Sequence, residues 1–270
     1  MSALKIGMQP TRAIMDVALL LDQGIASYQS ARHKVDPEWS RYDSNTEALT
    51  LFNLVIRNVG GVASLAKSDL LFLPPAYAAS RSSLETSIKI MWMLKPTNVF
   101  EREARYLAHL ASEENYYRRN GELIENNGAI VENEDAAEWK KAEQAIKDFR
   151  CGIEAMLPPP VKPLKKLPTF RAMLVDLGLE YIYREYIHLS QFSHGTHLCR
   201  SLYRQVHTDD KFIGDFVSPE LWVRPLVCSW KSLYICGSTI LEKLGGDPIA
   251  FVSPEFKMKH SSPTGFLVEG

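Results

Sequence analysis

The chain has 270 residues, of which 46% are hydrophobic and 23% are charged, and its formal net charge is −1. This composition is typical of a globular protein. The near-zero charge argues against a protein that coats nucleic acid or an anionic membrane by charge alone. The four cysteines form no C-x-x-C pair and fall in segments with a helical pattern, so we expect reduced thiols and a cytoplasmic protein.

Two apolar segments are candidates for an export signal or a membrane span. Residues 14–21 are interrupted by Asp16 and lack a small-residue cleavage pattern, which is a poor match to a signal peptide. Residues 226–241 contain Lys231 and fall short of the roughly 18–20 uninterrupted apolar residues that a bilayer span needs. We therefore expect a buried core helix there and no membrane partner.

Helix start and stop signals recur along the chain. Ser44-Asn-Thr-Glu47 predicts a capping box, Pro74 and Pro75 predict a helix start, and Gly178 predicts a helix end. The predicted helices span residues 48–66, 76–94, 98–125, 134–156, 169–178, 180–206 and 218–245. Residues 208–215 are predicted to be a loop, and no run of alternating strands is found.

We predict an all-α fold, a single bundle of about seven or eight helices. One domain over residues 1–246 is expected, with a stiff proline-rich connector at 157–168. Residues 247–270 are expected to form an irregular C-terminal tail.

A charged pair lies on the apolar face of the helix predicted over residues 76–94. Arg81 and Glu85 are four residues apart, among Leu84, Ile88 and Trp92 on the same side of the helix. A charge inside a core must be paired with an opposite charge or serve a function, and this pair lies on an apolar face. We therefore expect both side chains to be mostly buried. This helix then faces either a polar seam between helices or a functional site.

A second polar stripe lies on the helix predicted over residues 98–125. Arg105 and His109 are four residues apart, as are His109 and Glu113, so their side chains are neighbours. A solvated helix face is the alternative interpretation. Arginine, histidine and tyrosine on this stripe differ from the lysine and glutamate usual on such a face.

A third stripe lies on the helix predicted over residues 180–206. Taken as one continuous helix, this segment places the following residues on one face, with Arg200 at its edge: Tyr183, Tyr186, Ser190, His194, His197, Ser201 and Arg204. Imidazole and hydroxyl groups on one face favour a half-buried cleft. Histidines that are hydrogen-bonded within a core seam are the alternative.

If the three stripes meet, they form an anion site. Glu85 would hold Arg81 or Arg105, and the guanidinium groups would bind a phosphate or carboxylate. His109 or His194 would move protons near neutral pH, and Tyr186 and Ser190 would supply hydrogen bonds. Such a site suits metal-independent RNA cleavage, in which a 2′-hydroxyl attacks the adjacent phosphate, and it equally suits nucleotide binding alone.

Other catalytic motifs are not found. Residues 61–68 end in Lys67-Ser68 but lack the second glycine of a phosphate-binding loop. His194 and His197 could supply two metal ligands, but neither a cysteine-based zinc-site motif nor an H-E-x-x-H motif accompanies them. We therefore expect no metal and no cofactor, and we rank a metal-dependent hydrolase third among the function classes.

The spacing of several short motifs resembles a known group of proteins. Arg81-x-x-x-Glu85, Trp92-Met-Leu, Arg105-Tyr-Leu and Tyr186-x-x-x-Ser190-x-x-x-His194 follow one another between residues 48 and 207. This order resembles an uncharacterised bacterial family of all-helical proteins that is known only as a domain of unknown function. The resemblance implies a fold but no activity.

A more distant similarity is to the HEPN superfamily (higher eukaryotes and prokaryotes nucleotide-binding). The motif of that superfamily is an arginine followed by a histidine with four to six residues between them, and Arg200 and His207 have six residues between them. Arg105 and His109 are one residue too close. HEPN proteins are helical bundles, and many are dimeric ribonucleases in toxin–antitoxin or antiphage systems. The similarity implies an RNA or nucleotide ligand, a homodimer and a defence or toxin role.

The leading interpretation is thus an HEPN-like protein that binds RNA or a nucleotide, with metal-independent RNA cleavage as its activity. Its candidate proton carriers are His109, His194 and His207. Its candidate ligand-binding residues are Arg81, Glu85, Arg105, Tyr186, Ser190, His197, Arg200 and Arg204. The alternative is a non-enzymatic helical interaction module whose polar stripes are seams between packed helices.

Overall fold

A computed structural model describes residues 8–35, 37–126, 133–193, 204–206, 212–215 and 217–251. Within these ranges the longer helices are α1 (Arg12–Arg32), α2 (Asp43–Ser68), α3 (Leu73–Leu94), α4 (Val99–Asn126), α5 (Asn133–Ala155), α6 (Phe170–Leu177), α7 (Tyr183–Ser193), α8 (Val223–Lys243) and the four-residue α9 (Pro248–Phe251). Short 3₁₀ helices span Pro37–Arg41, Leu70–Phe72, Glu180–Ile182 and Pro219–Trp222. The predicted all-α fold is confirmed.

Helix α3 lies at the centre of the bundle and packs against α2, α8, α7 and α6. Its contact with α8 is made by small residues. The hydroxyl of Ser80 donates to the carbonyl of Pro225 at 3.0 Å, and that of Ser87 donates to Ser232 at 3.3 Å. Serines allow the two backbones to approach closely, and the hydroxyls of Ser80 and Ser87 keep an acceptor in this contact.

The C-terminal part of the described chain closes this core. Phe251 is fully buried, and its ring stacks on Tyr234 with centroids 4.8 Å apart. Gly237 allows this approach, because a Cβ there would lie 3.0 Å from Phe251 and 3.1 Å from Phe52. An irregular tail was expected from residue 247. Residues 248–251 form a helix instead, because Phe251 fills a space among α1, α2 and α8.

Three local predictions were wrong. The capping box at Ser44 does not form, since α2 begins at Asp43 and Ser44 binds the side chain of Glu103 instead. Within the described parts of the helix predicted over residues 180–206, Glu180–Ile182 is a 3₁₀ helix, Tyr183–Ser193 is α7, and Arg204–Val206 forms strand β1; residues 194–203 lie outside the described residues. The predicted loop over residues 208–215 contains strand β2 (Phe212–Asp215), which pairs with β1 in antiparallel register.

The remaining helix predictions are confirmed. Most of their predicted ends lie within one or two residues of the observed ends. Thr169 caps α6 through its side chain, and Gly178 ends that helix with a φ of 70°. The proline-rich connector runs along α4, where the amide of Leu164 donates to the carbonyl of Ala104 at 3.2 Å. It therefore lies against the helical bundle.

Helix α2 alone among the described helices is long and apolar enough to cross a membrane by length and composition. One face of it packs against α1, α3 and α8. Core helices of soluble proteins meet the same criteria, so this is weak evidence for a span, and the expectation of no membrane partner stays a prediction.

Candidate functional site

Arg81 and Glu85 of α3 meet Tyr186 of α7. The Nε and Nη2 atoms of Arg81 lie 3.1 Å from Oε1 of Glu85, and Nη2 donates to the Tyr186 hydroxyl at 3.3 Å. The centre of the guanidinium group lies 5.2 Å from the centroid of the Tyr186 ring. The first polar stripe, on α3, was predicted to meet the third, on α7. Arg81, Glu85 and Tyr186 make that contact.

The Arg81 guanidinium is held mainly by its charged and aromatic neighbours. Burial alone would lower the pKa of Arg81, but Glu85 and the Tyr186 hydroxyl more than offset it, so the pKa is raised. Arg81 is therefore a permanent cation. The pair was expected to be mostly buried, yet the side chains of Arg81 and Glu85 are 21% and 40% exposed. An ion pair open to water adds little stability, and its main effect is to orient the guanidinium.

Further aromatic rings and cations lie on α6, on α8, and on α7 with the 3₁₀ helix that precedes it. Phe170 packs on Tyr186 with centroids 4.3 Å apart, and Tyr183 stacks on Tyr186 at 6.0 Å. Arg171 lies 5.7 Å from the Tyr183 ring, and Lys231 of α8 lies 5.7 Å from the Tyr181 ring. We call Arg81, Tyr181, Tyr183, Tyr186 and their cations Arg171 and Lys231 the aromatic–cation surface. Its tyrosines recur at residues 181, 183 and 186, a spacing that sequence analysis noted only in part.

Ser190 lies one turn beyond Tyr186 on α7 and is half-buried. Its hydroxyl donates to the Tyr186 carbonyl at 2.8 Å, as a serine inside a helix commonly does. Helix α7 ends at Ser193, and His194 is the next residue in the chain. His194, His197, Arg200 and His207 lie outside the described residues, as does the side chain of Arg204.

Arg105 belongs to a different cluster. Its Nη1 atom donates to the carbonyl of Trp92 at 2.6 Å and to the Asp176 carboxylate at 2.8 Å, and the guanidinium lies 4.7 Å from the Trp92 ring. Trp92 is eleven residues after Arg81 on α3, which corresponds to about 16 Å along the helix. The expected meeting of Arg105 with Arg81 or Glu85 is therefore wrong.

Asp176 of α6 was missed by sequence analysis, because it is 71 residues from Arg105 and carries no motif. It also binds Lys95 at 2.7 Å. Burial raises the pKa of Asp176, but the hydrogen bonds from Lys95 and Arg105 outweigh this, and the pKa is lowered. Asp176 thus ties α6 to the C-terminal end of α3 and to α4, which is a structural role for Arg105.

His109 joins α4 to α2 and forms a third cluster, separate from those of Arg81 and Arg105. Its Nε2 atom is 3.3 Å from Oε1 of Glu113 and 3.5 Å from Oε1 of Glu47, and its side chain is 5% exposed. The predicted neighbourhood with Glu113 is confirmed, but Glu47 from α2 was missed. The second polar stripe is a set of contacts between helices, so it does not extend the surface around Arg81.

Across the residues that the structure describes, no group of three or more His, Cys, Asp and Glu side chains is arranged to hold a metal ion. Glu47, His109 and Glu113 come closest in composition. The expectation of a metal-independent protein stays a prediction.

Comparison with known proteins places the chain in a family. No curated protein and no solved structure matches it. A sequence profile described as a family of unknown function, DUF5677, matches residues 48–213, which is more than half of the 270 residues. The matched range includes Arg81, Glu85 and Tyr186, and it confirms the prediction of an uncharacterised family over residues 48–207. The chain therefore belongs to the DUF5677 family of unknown function.

Proposed function

We propose that this protein binds RNA or a nucleotide at the aromatic–cation surface, as an HEPN-like cytoplasmic protein. The observation that carries the proposal is the fixed guanidinium of Arg81 beside tyrosine rings that are each associated with a cation. Guanidinium groups bind phosphate oxygens, and tyrosine rings stack on unpaired bases. A nucleic acid offers both groups at short spacing.

Local charge supports an anionic ligand, although the whole chain carries a net charge of −1. Residues 157–192 contain five Lys or Arg (162, 165, 166, 171 and 184) and three Asp or Glu (176, 180 and 185). Lys162, Lys165, Lys166 and Arg171 are exposed. Lys162, Lys165 and Lys166 belong to the connector along α4, whereas Arg171 lies beside Tyr183. An excess of positive charge favours phosphate groups over neutral ligands.

RNA cleavage without a metal is the finer part of the proposal. A histidine base would take the proton of a 2′-hydroxyl, whose oxygen attacks the adjacent phosphorus, and a second histidine would protonate the departing 5′-oxygen. The products are a 2′,3′-cyclic phosphate and a 5′-hydroxyl. We propose His194 and His207 for these two steps, and Arg81 for the charge on the phosphate.

Binding can be tested with single-residue variants. Arg81→Gln removes the cation while Glu85 and Tyr186 remain, and we expect the affinity for a single-stranded RNA oligonucleotide to fall about tenfold, because one charged hydrogen-bond donor set is lost. Arg119→Gln on α4 is the matched control, since Arg119 is exposed and its loss changes the net charge equally. Fluorescence anisotropy titration measures both variants. Equal affinities for the two variants would contradict the proposed site.

Cleavage is tested with total RNA in EDTA. The wild-type protein should cut the RNA, and His194→Ala or His207→Ala should slow cleavage by about 10²–10⁴-fold if that histidine transfers a proton. Products ending in a 2′,3′-cyclic phosphate are expected. Activity that disappears in chelator would support the metal-dependent hydrolase instead. RNA binding without cleavage would limit the function to binding.

The non-enzymatic interaction module remains the second candidate, because two of the three polar clusters are internally paired. Arg105 is bound by Asp176, and His109 lies between Glu113 and Glu47. If neither RNA nor any nucleotide raises the melting temperature of the protein, this candidate is favoured. The HEPN resemblance further implies a homodimer, which sedimentation equilibrium would detect.

A further inference from the structure

A cleft between the C-terminal end of α1 and the middle of α2 has a volume of about 650 Å³. It is separate from the aromatic–cation surface, whose residues belong to α3, α6, α7, α8 and the 3₁₀ helix Glu180–Ile182. Its apolar side consists of Val35, Pro37, Trp39 and Ile56, and its polar side consists of Gln29, Arg32, His33 and Asn53. Clefts of about 300–1,000 Å³ with a few polar groups on an apolar lining are typical of small-molecule sites.

Arg32 is the unusual residue of this cleft. Its Nη1 atom donates to the side-chain oxygen of Asn53 at 3.0 Å, so the guanidinium is held by a neutral amide. Five other arginines bind a carboxylate within the described chain: Arg81, Arg105, Arg118, Arg150 and Arg224. No ion pair to Arg32 is found among the described residues. Within residues 8–35 and 37–126 its charge is oriented by Asn53 and paired with no carboxylate.

Three carbonyl groups at the end of α1 already accept backbone hydrogen bonds. The backbone N–H groups of His33, Lys34 and Val35 already donate to the carbonyls of Gln29, Ala31 and Arg32. Lys34 and the exposed His33 add further positive or neutral groups at the same end. Among the described residues that line the cleft, the half-buried guanidinium of Arg32 is therefore a cation with no carboxylate partner.

We infer that this cleft binds a small organic oxyanion, a carboxylate or phosphate carried on a flat apolar body. The oxyanion would pair with Arg32, whose planar donors match such groups, and the flat body would pack against Trp39 and Ile56. Asn53 positions the guanidinium before the ligand arrives. The inference does not depend on the proposed RNA or nucleotide function, because none of these residues belongs to the aromatic–cation surface.

Matched pairs of probes test the inference by ligand-observed NMR titration. Indole-3-acetate and indole-3-ethanol share a ring but differ in charge, and phenyl phosphate and phenol form the second pair. We expect each anion to bind at least tenfold more tightly than its neutral counterpart, and inorganic phosphate alone to bind more weakly than phenyl phosphate. The pair with the larger difference identifies the preferred oxyanion.

Two variants and one control assign the binding to Arg32. Arg32→Gln should abolish the preference for the anion, and Asn53→Ala should reduce it severalfold, since Asn53 is exposed and only orients the guanidinium. Arg12→Gln, an exposed position at the start of the same helix, should leave binding unchanged. Equal binding of charged and neutral probes, no binding of either anion at a few millimolar, or an unaffected Arg32→Gln variant would each overturn the inference.

Discussion

Trp222→Ala is expected to lower the free energy of unfolding by roughly 3–5 kcal/mol. The Trp222 side chain is fully buried where the 3₁₀ helix Pro219–Trp222 meets α3, and its indole Nε1 donates to the Leu70 carbonyl at 3.0 Å. Alanine would leave a cavity and remove that hydrogen bond. Urea denaturation followed by far-UV circular dichroism measures the change.

Two further substitutions separate packing from surface effects. Trp222→Phe keeps most of the buried volume but loses the indole N–H, and a loss of about 1–2 kcal/mol is expected. Val223→Ala changes the neighbouring residue, which is 45% exposed, and should alter stability by less than about 0.5 kcal/mol. If Trp222→Ala lowers the free energy of unfolding no more than Val223→Ala does, Trp222 does not pack in the core.

Glu103→Ala is expected to destabilise the protein by about 2–4 kcal/mol. Oε1 of Glu103 accepts from the backbone N–H of Ser44 at 2.9 Å and from its hydroxyl at 2.6 Å, so the carboxylate caps α2 from α4. Removing it leaves two buried donors without an acceptor. Glu101→Ala, on the exposed side of the same helix, is the matched control and should have little effect.

The loss caused by Glu103→Ala should depend on pH. Burial raises the pKa of Glu103 above its ordinary value of 4.5, although the bonds from Ser44 partly oppose the shift. The native state then binds the proton more tightly than the unfolded state. The stabilising contribution of protonated Glu103 is full below 4.5 and is lost as the pH rises through the raised pKa. The variant should therefore lose more stability near pH 4 than at neutral pH, and the reverse order would contradict this assignment.

Most of the fold was predictable because helix ends carry local signals. Thr169 and Gly178 fixed the limits of α6, and the prolines at 74, 75 and 96 bracketed α3. The capping box at Ser44 failed because the cap is supplied by Glu103, which is 59 residues away. A carboxylate that arrives from another helix leaves no pattern beside the residue it caps.

The candidate site was predictable only where one helix determined it. Arg81 and Glu85 were paired correctly because four residues bring side chains together on any helix, and the polar flank of α7 indicated Tyr186. Arg105 and His109 were misplaced, since packing decides which face of α4 meets which neighbour. Their partners Asp176 and Glu47 come from other helices, and a single sequence does not record such long-range pairs.

The position of α8 has a practical consequence for the limits of the family profile. The profile ends at residue 213, whereas α8 and the buried ring of Phe251 follow it, and α1 precedes it. A fragment excised at those limits would leave Ser80 and Ser87 without the carbonyls they bind on α8. Expression clones trimmed to the similarity boundary should therefore aggregate, because that boundary cuts through one continuous hydrophobic interior.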